Sequence, residues 1–351
     1  MYVYGITPAA DDFVPESAGL DESGEDVFTV THEGLSAVVS YTSRPSYHKL
    51  DRQEAVQYLL GHQRVVEELV AHFTTLPLKF GTVLADESRV GQLLKQGNPT
   101  FRALLDRLAG CVQMEIVVLW NVDEVFREIA GEPAVVELKA ALNGRAERDT
   151  VSERIALGQL VQASLEQRRK TLQHAILAPL NTLAADLVIN GLMDDRMVLN
   201  VGLLLKTCQL DELGHLLETA DRQFAGKLTL RSIGPLPPYS FATIEVRIPA
   251  FAEIEAARQC LCLDECCAEA DIKKAYYRRA AELHPDHNPG DANAEGLMAH
   301  LTQAYQLLCG YAQSWARKVA EKPGNGGGVD FRPAAVADTI LIDIVRPNVQ
   351  A

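Results

Sequence analysis

The stretch from Glu269 to Leu308 constrains this chain most, because it prescribes two helices and the break between them. Asp271 to Leu283 has helical spacing, with Ile272, Tyr276, Ala280 and Leu283 on one side. Pro285 cannot continue that helix, and it disfavours helical backbone at His284. Asn288-Pro289-Gly290-Asp291 supplies turn chemistry. Met298, Leu301, Ala304, Tyr305 and Leu308 then recur at three- and four-residue steps, the mark of a second amphipathic helix. Two antiparallel helices can bury those stripes against each other. That leaves Lys273, Lys274 and Arg278 outside, next to His284-Pro285-Asp286.

This spacing of helix, tripeptide and helix resembles a J-domain, the module by which co-chaperones engage DnaK-type chaperones and stimulate their ATPase. Leu261-Cys262-Leu263 stands where the family's Leu-Gly-Leu motif falls, and Gln303-Ala304-Tyr305-Gln306-Leu307-Leu308 is similar to its Glu-Ala-Tyr-x-x-Leu helix. Arg279 occupies a usual leucine position, and Glu282 one that is often basic. The resemblance implies a chaperone-docking surface made of His284, Pro285, Asp286, Lys273, Lys274 and Arg278. It covers about 60–70 residues, so it explains a module and not the chain.

The remaining residues must form structure of their own. A chain of 351 residues suggests two or three domains, and 47% hydrophobic residues exclude a disordered one. A formal charge of -14 argues against nucleic acid as a partner, since phosphate needs a cationic surface. No apolar run is long enough to span a membrane, and Met1-Tyr2-Val3-Tyr4-Gly5-Ile6 leads into an acidic loop rather than a signal peptide. Seven cysteines, an odd number, fit a reducing cytoplasm. Cys260, Cys262, Cys266 and Cys267 are crowded, but their spacing is not that of a zinc site, so free thiols are expected.

Residues 2–7 alternate as a strand, and Val27–Val30 with Leu35–Tyr41 flank a hairpin turn at Glu33-Gly34. A long helix follows with Ala55, Val56, Leu59, Leu60, Val66, Leu69, Val70 and Phe73 as its apolar stripe. His62 and His72 read as satisfied or solvated side chains rather than ligands. Leu76 to Val83 is an extended, mostly buried segment, and helices are expected at 86–97 and 99–109. Val112, Met114, Ile116 and Val118 alternate as a strand. Helix dominates 122–189, with a seam through Leu165, Leu172, Ile176, Leu180, Leu183 and Leu187 that Pro179 should bend. Strands at 197–206 and 227–233 flank a helix at 211–225. Gly234 to Phe241 carries three prolines and reads as a stiff extended strap from which Tyr239 and Phe241 project. A proline-rich ligand for an SH3-type domain is its generic functional alternative.

Two octapeptides in this part carry a second resemblance. Leu76-Pro77-Leu78-Lys79-Phe80-Gly81-Thr82-Val83 is similar to the Leu-Pro-x-(Arg/Lys)-Phe-Gly-Thr signature of the gas vesicle F/L family. Gly234-Pro235-Leu236-Pro237-Pro238-Tyr239-Ser240-Phe241 resembles that family's Gly-Pro-Trp-Pro-Pro-Tyr-Ser-Phe motif, with Leu236 in place of the tryptophan. The opening Tyr-Val-Tyr-Gly-Ile fits as well, so the resemblance spans 1–247. The expected fold class is α+β: two α+β domains with helices packed on sheets, the second a modified ferredoxin-like one, plus a small all-α J-like insertion. The expected boundaries are 1–110, then 111–248 completed by a strand at 337–346, with the insertion at 249–322 and a flexible Gly-rich linker at 323–336.

No Walker, dinucleotide, Gly-x-Ser-x-Gly or zinc-protease pattern is present, so an enzyme is not expected, nor a cofactor or metal. The two resemblances together imply a gas vesicle assembly accessory protein in the cytoplasm and at the gas vesicle. It would bind the hydrophobic shell subunit alongside other gas vesicle accessory proteins, and recruit a DnaK-type chaperone. The alternatives are a general J-domain co-chaperone with broad clients and a purely structural minor vesicle component.

Overall fold

The structure is a computed structural model that describes residues 1–10, 13, 15–17, 19–20, 26–47, 49–145, 150–224, 226–283, 294–319 and 328–345. His284-Pro285-Asp286, the turn at 288–291, parts of the acidic loop and residues 320–327 of the glycine-rich stretch lie outside the described residues.

The chain opens with strands β1 (Tyr2–Pro8), β2 (Phe28–His32) and β3 (Leu35–Ser40). Glu33 and Gly34 both take positive φ, 49° and 73°, as the tightest hairpin turns require. Helix α1 (Arg52–His72) starts at Asp51, whose carboxylate accepts the N–H groups of Gln53 and Glu54. It buries His62, Val65, Val66 and Leu69. Val56, Leu59 and Leu60, expected in the buried stripe, are 47–50% exposed, so only the C-terminal part of that stripe is core. Strand β4 (Leu76–Pro77) completes an antiparallel sheet of order β2-β3-β1-β4.

Helix α2 (Glu87–Leu108) runs unbroken through Pro99, where two helices were expected. The reason is packing on both sides of the proline. Val90, Leu93, Leu94, Phe101, Leu105 and Leu108 are all buried, at roughly 1.5–3 kcal/mol each. That sum exceeds the cost of about 3 kcal/mol for an internal proline. Gly97 leaves room for the Phe101 ring, whose nearest atom would lie 2.1 Å from an added Cβ.

The second compact unit holds β5 (Cys111–Trp120), α3 (Val122–Ala130), α4 (Pro133–Leu142), α5 (Val151–Leu183), β6 (Asp186–Ile189), β7 (Met197–Lys206), α6 (Leu210–Gln223) and β8 (Leu228–Leu236). Its strands form an antiparallel sheet of order β6-β7-β5-β8. This is the ferredoxin-like β-α-β-β-α-β arrangement, modified by three helices in the first crossover. Met114, Ile116, Val118 and Trp120 alternate into a core shared with Leu165, Ile176, Leu180 and Leu183 of α5. Pro179 lies inside α5, which continues to Leu183. Leu187, expected in the helical seam, belongs to β6, because Ala185 N–H already donates to Leu204 O at 2.8 Å and starts the ladder with β7.

The expected strap is not extended to its end. Strand β8 runs to Leu236 and includes a cis Gly234-Pro235 bond. A helical turn, α7 (Tyr239–Ala242), follows, and Phe241 is buried rather than projecting. Gln113 Oε1 accepts the Ser240 N–H at 2.9 Å, which draws the chain inward.

The last part comprises β9 (Thr243–Arg247), α8 (Phe251–Cys260), β10 (Cys266–Cys267), α9 (Glu269–Leu283), α10 (Ala294–Val319), β11 (Val329–Asp330), α11 (Pro333–Ala337) and β12 (Leu341–Val345). Strand β12 pairs antiparallel with β9 over five residue pairs. Both strands belong to one compact unit with residues 1–107, whereas the sequence suggested that they complete the second domain. Backbone bonds account for the difference, since Lys79 N–H donates to Ile244 O at 2.8 Å. The flexible linker expected at 323–336 is instead structured in its described part, because β11 pairs with β10 of the insertion and Val329, Phe331 and Val336 are buried against it. Its core joins Ile272 and Ala275 of α9 to Leu301, Ala304 and Leu308 of α10.

Candidate functional site

The first octapeptide is a bend held from beneath by aromatic side chains. Leu76 and Pro77 pair with Ile6 and Gly5, and Leu76, Pro77 and Leu78 are buried. The chain then turns through Lys79, Phe80 and Gly81, where Gly81 takes φ +86°. Thr82 closes the turn, its hydroxyl donating to Lys79 O at 2.6 Å. Lys79 itself is exposed and forms an ion pair with Glu245 at 2.7 Å.

His62 sits under this turn. Its Nδ1 lies 2.9 Å from the Tyr2 hydroxyl, which in turn accepts the Gly81 N–H at 3.1 Å. The other side of the ring engages the Leu78 backbone. These bonds fit a neutral ring, in which Tyr2 donates to Nδ1 and the second nitrogen donates to the Leu78 carbonyl. Burial pushes the His62 pKa down to about 4, against the backbone bond that favours its charged form. Tyr4 and Phe80 pack against the imidazole at ring-centroid distances of 5.8 and 5.9 Å, and Tyr47 packs on Phe80 at 5.9 Å. His62 is therefore a satisfied core histidine that sets the shape of the loop.

The second octapeptide is fixed by a polar network on one face of the ferredoxin-like sheet. Gln113 Nε2 donates to Glu115 Oε1 at 2.7 Å and to Ser240 Oγ at 3.1 Å. Asn190 donates to Glu115 Oε2 at 3.1 Å. Partial burial raises the Glu115 pKa, and these donors oppose the rise. Gly234 takes φ +140° and passes so close to β5 that a Cβ there would meet Gln113 O at 2.9 Å. Pro237, Pro238 and Phe241 are buried, Tyr239 is half-buried, and Gly234 and Pro235 are exposed. Each octapeptide thus shapes its own unit.

The second unit also contains an apolar cavity of about 330 Å³, lined by Trp120, Val125, Leu172, Phe224 and Leu228 among others. Arg168 and Lys227, which border it, both pair with Glu128, at 2.7 and 3.6 Å. Among the described residues, no group of three or more His, Cys, Asp or Glu side chains could hold a metal ion, and no helix is long and apolar enough to cross a membrane.

On the helical insertion, Lys273, Lys274 and Arg278 are exposed on α9, on the side away from Ile272 and Ala275. Lys274 is partly neutralised by Asp271 at 3.2 Å, and Lys273 lies over the Tyr277 ring at 6.0 Å. Arg279 turns to Glu282 at 2.7 Å. His62 is the satisfied histidine that sequence reasoning expected, while Tyr2, Gln113, Glu115 and Asn190 are positioning residues that it missed. Their partners lie up to 127 residues away, so no local pattern could reveal them.

Comparison with known proteins follows the same division. The family model described as gas vesicle synthesis protein GvpL/GvpF matches residues 1–243, and the DnaJ domain model matches residues 259–313. Gas vesicle protein F of Microcystis aeruginosa (strain PCC 7806) is 29% identical over 250 residues, covering 70% of this chain and 98% of that one. Gas vesicle protein L2 of Halobacterium salinarum is 26% identical over 260 residues, covering 69% and 90%. The crystal structure of GvpF from Anabaena sp. PCC7120 superposes with a TM-score of 0.60 at 25% identity, covering 68% of this chain and 96% of that one. The GvpF crystal structure from Microcystis aeruginosa gives 0.55 at 27%, covering 68% and 97%. Both octapeptides and the scaffold that shapes them fall within this match, and the protein belongs to the gas vesicle GvpL/GvpF family, with a DnaJ domain following the family region.

Proposed function

We propose that this protein is a gas vesicle assembly factor that binds the hydrophobic shell subunit and brings a DnaK-type chaperone to it. It acts by binding rather than by catalysis, in the cytoplasm and at the growing vesicle. The observation that carries this reading is the presence, in one chain, of the GvpL/GvpF region and a DnaJ domain whose basic α9 face is exposed. An apolar subunit destined for a shell must be shielded until polymerisation buries it. The cavity lined by Trp120, Leu172 and Phe224 suits an apolar side chain of such a client. Placing both binding functions on one molecule raises the local concentration of chaperone at the client without any new contact.

The chaperone half is tested by ATPase stimulation. His284→Gln is expected to reduce stimulation of a DnaK-type ATPase to the unstimulated rate, with unchanged helical content by circular dichroism. Charge reversal at Lys273 and Lys274 is expected to weaken stimulation and its salt dependence together, because both residues act by charge. Stimulation that survives in His284→Gln would overturn this half. For the assembly half, the full chain is expected to co-purify with the shell subunit. A normal vesicle yield after deletion of the gene, in a strain without paralogues, would overturn it.

A further inference from the structure

The GvpL/GvpF match ends at residue 243 and the DnaJ match covers 259–313, so residues 244–258 and 314–345 belong to neither. Their described parts are nevertheless well packed. Ile254 and Ala257 of α8, together with Val329, Phe331, Val336 and Leu341, share one core with Leu261, Ile272, Leu301 and Leu308. Tyr311 and Trp315 of α10 donate to the carbonyls of Asp330, at 2.5 Å, and Gly328, at 2.9 Å. The DnaJ helices are thus sealed from below by chain that lies outside the DnaJ match.

The same segments grip the N-terminal unit. Strand β9 leads into the insertion and β12 leads out of it, and the two form one ladder from Thr243/Val345 to Arg247/Leu341. Lys79, in the first octapeptide, holds that ladder twice, through its N–H to Ile244 O at 2.8 Å and its ammonium to Glu245 at 2.7 Å. Asp338 is shared between the two sides: Lys318 of α10 reaches its carboxylate at 2.7 Å, and Arg89 of α2 at 3.7 Å. Gln92 of α2 donates to Asp338 O at 2.7 Å, and Arg89 also donates to Ala337 O.

We propose that residues 244–258 and 328–345 form a rigid splint that mounts the DnaJ helices in a fixed orientation on the N-terminal unit. A chaperone recruited there then acts on a client held by the same molecule. A flexible tether gives a local concentration set by linker length, whereas a fixed mount holds the partner at one distance and one angle to the N-terminal unit. The cis delivery rests on the function proposed above; the splint rests on the contacts alone.

The test uses the full chain and two variants. K79A/R89A removes the ion pair to Glu245 and the Arg89 bonds to Ala337 and Asp338, the side-chain part of the grip from the receiving side, and leaves every DnaJ residue in place. A second variant carries Gly-Ser insertions of about ten residues between Ile248 and Pro249 and between Asp338 and Thr339, together with R89A and Q92A, which free Asp338 from α2 and so uncouple orientation. Hydrogen exchange of the β9 and β12 amides is expected to be slow in the unaltered protein and to quicken at least about tenfold in both variants. DnaK ATPase stimulation is expected to stay within about twofold, while chaperone-dependent assembly of the shell subunit falls about fivefold or more. Fast exchange of β9 and β12 in the unaltered protein would overturn the splint. Full assembly by the loosened variants would overturn cis delivery. Absence of ATPase stimulation by the unaltered chain would instead overturn the recruitment reading and cis delivery with it, leaving the splint to the exchange data.

Discussion

Acidification from pH 7 to pH 4 is expected to remove about 3 kcal/mol of stability through His62 alone. The imidazole is buried, with a folded pKa of about 4 against an ordinary value of 6.5. The neutral form is therefore the one the fold accommodates. Above pH 6.5 both folded and unfolded chains hold it neutral, and its contribution is complete. Between 6.5 and 4 the unfolded chain gains a proton that the folded chain refuses, so stability falls throughout that window. Below about 4 both states are protonated and the loss levels off. Urea unfolding of the full chain at several pH values, read by tyrosine fluorescence, measures this slope.

His62→Gln separates the titration from the contacts. Glutamine can still accept from Tyr2, but it fills less of the space beside Tyr4 and Phe80. The variant is expected to lose roughly 2 kcal/mol at pH 7 and to show a much flatter slope between pH 6.5 and 4. An unchanged slope would show that other groups govern acid lability.

The second large effect is expected at Gly234. Its φ of +140° lies in a region that other residues rarely adopt, and an added Cβ would stand 2.6 Å from Met114 Sδ and 2.9 Å from Gln113 O. The thioether can move aside. The carbonyl cannot, because it belongs to β5, which is paired on both sides. Gly234→Ala should therefore cost roughly 3 kcal/mol or more, from backbone strain and overpacking together. Gly110→Ala is the control. Gly110 also takes positive φ, +67°, but has open space around it, so only about 1–2 kcal/mol of backbone strain is expected there. Equal midpoints for the two variants in urea would rule out the steric argument.

The elements that sequence made legible are those whose pattern is local. The hairpin at Glu33-Gly34, the alternation of β5 and the two stripes of α9 and α10 each repeat within a dozen residues, and all are present. Where the expectation missed, a distant partner had changed the outcome. Pro99 did not break α2, because apolar side chains on both sides of it are buried. Leu187 left the helical seam, because β7 offered Ala185 a hydrogen-bond partner and the ladder that follows. Val56, Leu59 and Leu60 have helical spacing suited to a core, yet remain exposed. Spacing fixes which side chains share a face but not what covers that face.

The candidate site divides in the same way. The basic helix and both octapeptides could be recognised from residue order, since each is a short contiguous motif. His62 beneath Gly81, and Gln113 beneath Ser240, could not, because their partners are 16 to 127 residues away in the chain. Sequence by itself determined that a gas vesicle region and a DnaJ module occur in one chain, because motif order survives in the covalent backbone. Only the tertiary structure decided that the module is fixed by both its ends to the N-terminal unit. That attachment depends on a ladder between residues 243–247 and 341–345 and on the shared carboxylate of Asp338, contacts that exist only once remote segments meet.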